Sequence, residues 1–265
     1  RPKLLVYGST TEEVERFNLP CGGQLHVIIE PFTSNEYLPE IEGLVSRLRQ
    51  RECIERVVDI ETGSMTVSET ARFKHLAFNG DFDHPEQTTG VVLNHTYGPR
   101  YQLMLIGAGQ VSLYLADMAQ KLDYQVIVCD PRQEMLDQWH VDGVRLTNEM
   151  PDDAVRQFSQ DNFSAIIALT HDPRIDDMGL MEALKTRAFF VGAMGSTRTS
   201  AKRRERLLQL DLTEAEINRL HAPVGLPIGS KTPAEIAIAI LAQLTALRGE
   251  QTPSLEADFR TQHVA

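Results

Sequence analysis

The stretch Gln102-Leu103-Met104-Leu105-Ile106-Gly107-Ala108-Gly109-Gln110-Val111-Ser112 carries the fold of this chain. Five apolar residues in an unbroken run suit a strand buried on both faces, as in a parallel sheet. Glycines follow at once, and a helical pattern from Val111 to Leu122 comes next. The loop is a near match to GxGxxG, with Ser112 at the third glycine. Glycines let a backbone turn tightly and approach a pyrophosphate. The helix behind them offers free N–H groups and the positive end of its dipole. Asp130 lies about twenty residues on, closing the next apolar run Gln125–Cys129, where an acidic residue commonly meets a ribose hydroxyl. The alternative is a tight strand–helix turn with no ligand. Arg132 is read either as a phosphate partner or as a surface residue.

Downstream, the same alternation repeats. Val144–Leu146 suggests a third strand, Ala165–Leu169 a fourth and Phe189–Val191 a fifth. Helices are expected over Asp152–Gln160 and Met178–Lys185. Strands alternating with helices at this spacing imply right-handed βαβ units. Thr213 with Glu216, and Thr232 with Pro233 and Glu235, predict helix starts closed by capping boxes. Ile236, Ile240, Leu244 and Leu247 make an apolar stripe that Gly249 is placed to end.

Upstream, the first hundred residues are mixed. Leu25–Glu30 reads as a strand ended by Pro31, and Pro39–Arg51 as a helix. Glu55–Ile60 and Met65–Val67 read as a hairpin around Glu61-Thr62-Gly63-Ser64. From Asn79 to Gly98 the apolar signal thins and a linker or long loop is expected. The whole is therefore expected to be an α/β protein, with a Rossmann-like parallel-sheet domain over 98–250, a smaller α+β domain over 1–97 before it, and a tail over 251–265. The chain opens on Arg1 rather than Met, so the first domain is read as one whose natural start can lie upstream.

Composition narrows function. A net charge of −11 argues against nucleic acid as the partner, and no apolar run reaches membrane-spanning length. The basic cluster Lys202, Arg203, Arg204 and Arg206 is read as a solvated helix face. Three widely spaced cysteines argue against a disulfide framework and fit a cytoplasmic location.

Further strand ends are expected to open on the same crevice, since ligands in such sheets bind outside the carboxyl ends of strands. Thr170-His171-Asp172 follows the fourth strand; His171 is a ligand, an acid or base, or a residue that caps the next turn. Gly192-Ala193-Met194-Gly195-Ser196 follows the fifth, and Gly192, Gly195 and Ser196 suit an anion. Cys21-Gly22-Gly23 combines a sterically open thiol with a backbone that a ligand can approach; the alternative is a small residue in a tight turn. Cys129 is read as packing.

Several blocks in order carry a family resemblance: Pro20-Cys21-Gly22-Gly23, Gly107-Ala108-Gly109, Thr170-His171-Asp172-Pro173, Val191 to Ser196, His221 to Leu226, and Ile228 to Ile236. The chain resembles the XdhC/CoxI family, accessory proteins in the maturation of xanthine dehydrogenase and related molybdenum hydroxylases. Proline before Cys21, Gln110 after the glycine loop and Ser112 in place of the third glycine depart from the family pattern. The resemblance implies a molybdenum-cofactor chaperone without turnover of its own. Its expected cargo is molybdopterin or its dinucleotide form, and its expected partners are an apo xanthine dehydrogenase-type hydroxylase and a cysteine desulfurase. A homodimer is expected, as the commonest closed assembly. Cys21 becomes the expected molybdenum-side or sulfur-relay contact. Gly107, Gly109 and Asp130 would hold the nucleotide-like portion, and Gly192, Gly195 and Ser196 a phosphate. The competing expectation is an NAD(P)-dependent oxidoreductase with His171 as acid or base. A third is a scaffold that acts through protein contacts alone.

Overall fold

The structure, a computed structural model, describes residues 1–17, 24–32, 38–70, 76–82, 84 and 86–251. These residues divide into two compact units, Arg1–Pro99 and Arg100–Gln251. No helix among the described residues is long and apolar enough to cross a membrane.

In the smaller unit, β1 (Lys3–Tyr7) and β2 (Leu25–Ile29) form an antiparallel ribbon, with α1 (Thr11–Arg16) between them in sequence. The helix α2 (Leu38–Arg49) precedes β3 (Ile54–Asp59), β4 (Met65–Glu69), β5 (Leu76–Phe78) and β6 (Val92–Tyr97). These four strands make an antiparallel sheet in the order β4-β3-β6-β5. The expected hairpin is β3–β4. Its turn is closed by Thr62, whose N–H and hydroxyl both donate to Asp59 Oδ1 at 2.7 and 2.8 Å. The expected linker over 79–98 is corrected here. Its second half is β6, which pairs along its length with β3 and also holds β5. The strand was concealed because its sequence Val-Leu-Asn-His-Thr-Tyr is half polar and only half-buried, with Leu93 and Thr96 alone fully buried. Val58, Ile60, Phe78, Val91 and Leu93 form the small core, with Leu4, Ile28, Met65 and Phe82 against it.

In the larger unit the strands are β7 (Gln102–Ile106), β8 (Gln125–Cys129), β9 (Arg145–Thr147), β10 (Ser164–Ala168), β11 (Phe190–Ala193) and the short β12 (Leu220–His221). The helices are α3 (Gln110–Lys121), α4 (Gln133–Leu136), α5 (Pro151–Phe158), α6 (Pro173–Ala183), α7 (Thr197–Leu208), α8 (Glu214–Ile217) and α9 (Pro233–Gln251). All six strands run parallel, in the order β12-β11-β10-β7-β8-β9. The chain therefore leaves β7 toward one edge through β8 and β9. It then returns to β10 on the other side of β7 and proceeds to the opposite edge. Residues of β7 and β10 are buried without exception, as their unbroken apolar runs required.

Three local readings change. The helix expected from Met178 begins at Pro173, because Asp172 caps it by accepting the Arg174 N–H at 3.0 Å and proline suits the first helical position. Helix α9 runs past Gly249 to Gln251. The basic cluster on α7 is not simply a solvated face: Arg203 is 5% exposed and paired with aspartates of α6. Both expected capping boxes form, at Thr213 with Glu216 and at Thr232 with Glu235.

Candidate functional site

The reversal of strand order between β7 and β10 makes a switch point, where loops leaving adjacent strands diverge and a crevice opens. Gly107 ends β7 with φ +109°, a left-handed backbone that glycine adopts without strain. A Cβ there would lie 2.8 Å from Thr170 Cγ2 and 3.1 Å from Thr170 N, so the absence of a side chain lets the two loops meet. Ser112, fully buried, donates its hydroxyl to the Gly107 carbonyl at 2.5 Å. Serine in place of a third glycine thus ties the helix to the loop that precedes it.

Gly109 is the N-cap of α3 and no side chain caps that helix. A Cβ on Gly109 would meet nothing within 4 Å. The first turn of a twelve-residue helix is therefore left open to an anion, with exposed Gln110 beside it.

Asp130 closes β8 and is fully buried. Its Oδ2 accepts from the Ala108 N–H at 2.9 Å and from Arg132 Nη2 at 2.8 Å; its Oδ1 accepts from Arg132 Nε at 2.9 Å and Arg132 N at 3.1 Å. Burial alone would raise this carboxyl. The hydrogen bonds from Arg132 and the Ala108 N–H outweigh it and hold the group below the usual carboxylate range.

The opposite wall is the turn after β10. His171 is exposed and has φ 63°, a conformation histidine tolerates better than most residues. Thr170 anchors the turn: its N–H and hydroxyl donate to Asp176 Oδ1 at 3.1 and 2.7 Å, and its oxygen accepts from the Asp172 N–H at 3.0 Å. Arg174 holds the Asp172 carboxyl down to about 2.

A buried cluster joins this wall to the next. Asp176 Oδ2 receives Arg203 Nη2 at 2.9 Å, and Arg203 Nη1 donates to the Met194 carbonyl at 3.1 Å. Asp177 takes Arg206 Nε at 2.5 Å. Burial pushes the Asp176 carboxyl up, against the pull of Thr170 and Arg203. The loops after β10 and β11 are thereby fixed to each other. The two pairs join residues 27 and 29 positions apart, and no local spacing could have announced them.

Of the expected site residues, Gly107, Gly109, Gln110, Asp130, Arg132, Thr170, His171 and Asp172 gather at the switch point. Gly195 and Ser196 lie in the neighbouring loop, where Ser196 caps α7 by accepting the Thr199 N–H at 3.2 Å. Gly192 is buried within β11, where a Cβ would strike Phe190 and Val224 at 2.7 Å, so the packing there requires glycine. Cys21, Gly22 and Gly23 lie outside the described residues. Cys129 is buried: burial pushes its thiol up to about 12, and its sulfur reaches the Glu149 carbonyl. The sequence pattern gave His221 no role of its own. It ends β12 stacked on Phe190 at 4.5 Å, with Nδ1 3.3 Å from Gln243 Nε2, and burial lowers its pKa.

A parallel sheet in this order, with a glycine loop and an open helix start at its switch point, is a Rossmann domain. Residues 103–244 match the XdhC Rossmann domain, and the chain belongs to the XdhC family that its sequence blocks resemble. It is 24% identical over 241 residues to a probable xanthine dehydrogenase component of Bacillus subtilis, covering 86% of this chain and 70% of that protein. It is 24% identical over 233 residues to the molybdenum cofactor insertion chaperone PaoD of Escherichia coli, covering 88% of this chain and 62% of PaoD. Identity reaches 31% over 161 residues with the uncharacterized Escherichia coli protein YqeB, across 57% of this chain and 28% of YqeB. The chain thus spans less than two thirds of the length of both Escherichia coli relatives. A crystal structure described as a xanthine dehydrogenase of Bacillus halodurans superposes with a TM-score of 0.67 at 22% identity, over 96% of this chain and 77% of that one, and shares the fold.

Proposed function

We propose that this protein binds molybdenum cofactor as cargo, supports its sulfuration by a cysteine desulfurase, and delivers it to an apo xanthine dehydrogenase-type hydroxylase. The observation that carries the reading is the uncapped start of α3 beneath the Gly107–Gly109 loop, at the switch point. An N-terminal helix turn with free N–H groups suits the phosphate of a pterin cofactor. Open space at Gly109 leaves room for it. Gln110 and Arg132 flank that seat, Thr170, His171 and Asp172 form its far wall, and Asp130 holds the loop in place. Gly195 and Ser196 border the crevice one strand further out. Cys21 is assigned the molybdenum-side contact, because a soft thiolate suits soft metal chemistry. The names carried by PaoD and by the Bacillus subtilis relative lend the reading support.

The test is anaerobic incubation with isolated molybdenum cofactor, followed by ultrafiltration and a count of molybdenum per chain in excess NAD. Near-stoichiometric retention is expected, falling about tenfold in Gly107→Ala, which pushes the loop from its seat. Absence of retained molybdenum, with NAD bound in its place, overturns the reading in favour of a nicotinamide-dependent oxidoreductase that uses His171.

A further inference from the structure

Asp130 stands where a fold of this strand order places an acidic residue against a ribose diol. An ionised carboxylate has about four lone-pair sites. Here four donors fill them: the Ala108 N–H, the Arg132 N–H, and Arg132 Nε and Nη2. The residue is also fully buried. A diol could reach it only by displacing the Ala108 N–H, which belongs to the glycine loop itself, or a two-pronged arginine contact.

Arg132 faces the other way in its effect. Its side chain is 36% exposed, and its Nη1 makes no hydrogen bond to any described residue. Two carboxylates besides Asp130 act on it electrostatically, Glu134 and Asp172. Glu134 is exposed to water, and Asp172 is held by Arg174 at 2.8 Å. The planar guanidinium is thus oriented by Asp130 and retains an outward edge, an arrangement suited to phosphate oxygens.

We propose that Arg132, oriented by Asp130, is the specificity residue of this crevice: it receives a phosphate ester at the position where a ribose diol would otherwise lie. Ligands that end in phosphate are accepted there, and unphosphorylated ribose ends are disfavoured. For the cargo, the inference rests on the cofactor-binding reading: with the pterin's one phosphate seated at the start of α3, it disfavours a form extended by a nucleotide with a free diol.

The experiment titrates the full chain with adenosine 2′,5′-bisphosphate and with AMP, which differ only in carrying a phosphate or a hydroxyl at the ribose 2′ position. The bisphosphate is expected to bind at least about tenfold more tightly. Arg132→Ala abolishes the preference. Arg132→Lys, which keeps the charge and loses the fork, retains part of it and guards against a misfolded alanine variant. Equal affinities in the unaltered protein overturn the proposal, as does failure of the bisphosphate to bind at millimolar concentration. Molybdenum retention is measured on the same samples. Retention without phosphate preference sinks this inference alone, and preference without retention sinks the cofactor reading alone.

Discussion

In the larger unit Arg203 meets Asp176 with both side chains almost wholly out of water, 6% and 1% exposed. In the smaller unit Arg56 is as deeply buried, at 5%, but its partner Glu30 remains 19% exposed. Glu30 takes both Arg56 Nη1, at 3.0 Å, and Nη2. Phe32 lies 5.8 Å from that guanidinium. Both pairs join elements distant in sequence: Arg203 ties the turn after β10 to the loop after β11, while Arg56 ties β3 to the end of β2. The difference lies in what each carboxylate is left with when its arginine is removed. Glu30 can turn to water. Among the described residues Asp176 would keep only Thr170 as a hydrogen-bond donor, with Arg206 acting on it from further off, so its charge would be left poorly matched in a dry core.

The largest expected effect follows. Arg203→Ala should destabilise the larger unit by about 3–5 kcal/mol, because it leaves a buried charge without its counter-ion. Arg56→Ala should cost the smaller unit less, about 1–3 kcal/mol, since water replaces part of the contact. Trp139 is the single tryptophan and lies in the larger unit, so its fluorescence in urea reads Arg203→Ala; far-ultraviolet circular dichroism follows Arg56→Ala. Equal losses would break the comparison, and would mean that burial of the arginine, rather than of its partner, sets the cost.

Next in size is the loop that Arg203 helps to brace. Gly107→Ala forces a side chain onto φ +109° and within 2.8 Å of Thr170. A loss of about 1–3 kcal/mol is expected. The matching change at Gly109, which is not in that backbone region and faces open space, should leave stability nearly untouched while it lowers retention of an anionic ligand. If both glycines prove equal in urea denaturation, the contrast between a packed and an open glycine is wrong.

The smallest effect is one of pH. His95 is half-buried, and burial first, then Arg56, lowers its pKa below the ordinary value. In the larger unit His221 is lowered by burial. A histidine depressed in the folded state binds its proton more readily when unfolded. Its stability contribution is therefore present above about pH 6.5 and lost as pH falls through the folded value. Each unit should unfold at lower urea as the pH falls from about 7 to about 5. His95→Gln should flatten that dependence in the circular dichroism signal and leave Trp139 fluorescence unchanged, whereas His221→Gln should flatten it in both. A slope unchanged by either variant would remove both histidines from the account.

The two units also differ in how far they could be read in advance. β7, β8 and β10 were legible because a strand covered on both faces must be apolar at nearly every position. β6 is hidden among turn-forming residues because a half-buried antiparallel strand carries Asn94, His95 and Tyr97 as readily as Leu93. Thr170-His171-Asp172-Pro173 was placed correctly at a strand end, but part of its chemistry is structural: Asp172 and Pro173 start α6. Gly192, expected as a ligand contact, is also the point where Phe190 and Val224 close over β11.

Local sequence determined the βαβ alternation, the glycine loop after β7, the capping boxes at Thr213 and Thr232, and the family. Those features rest on the period of burial and on residues within one turn of each other. Only the tertiary structure decided that β10 returns beside β7, that Asp130 meets the Ala108 N–H of the glycine loop, and that Arg203 lies buried against Asp176. Such pairings join positions tens of residues apart, and their strength depends on how much water the surrounding fold excludes, a quantity that no short stretch of sequence contains.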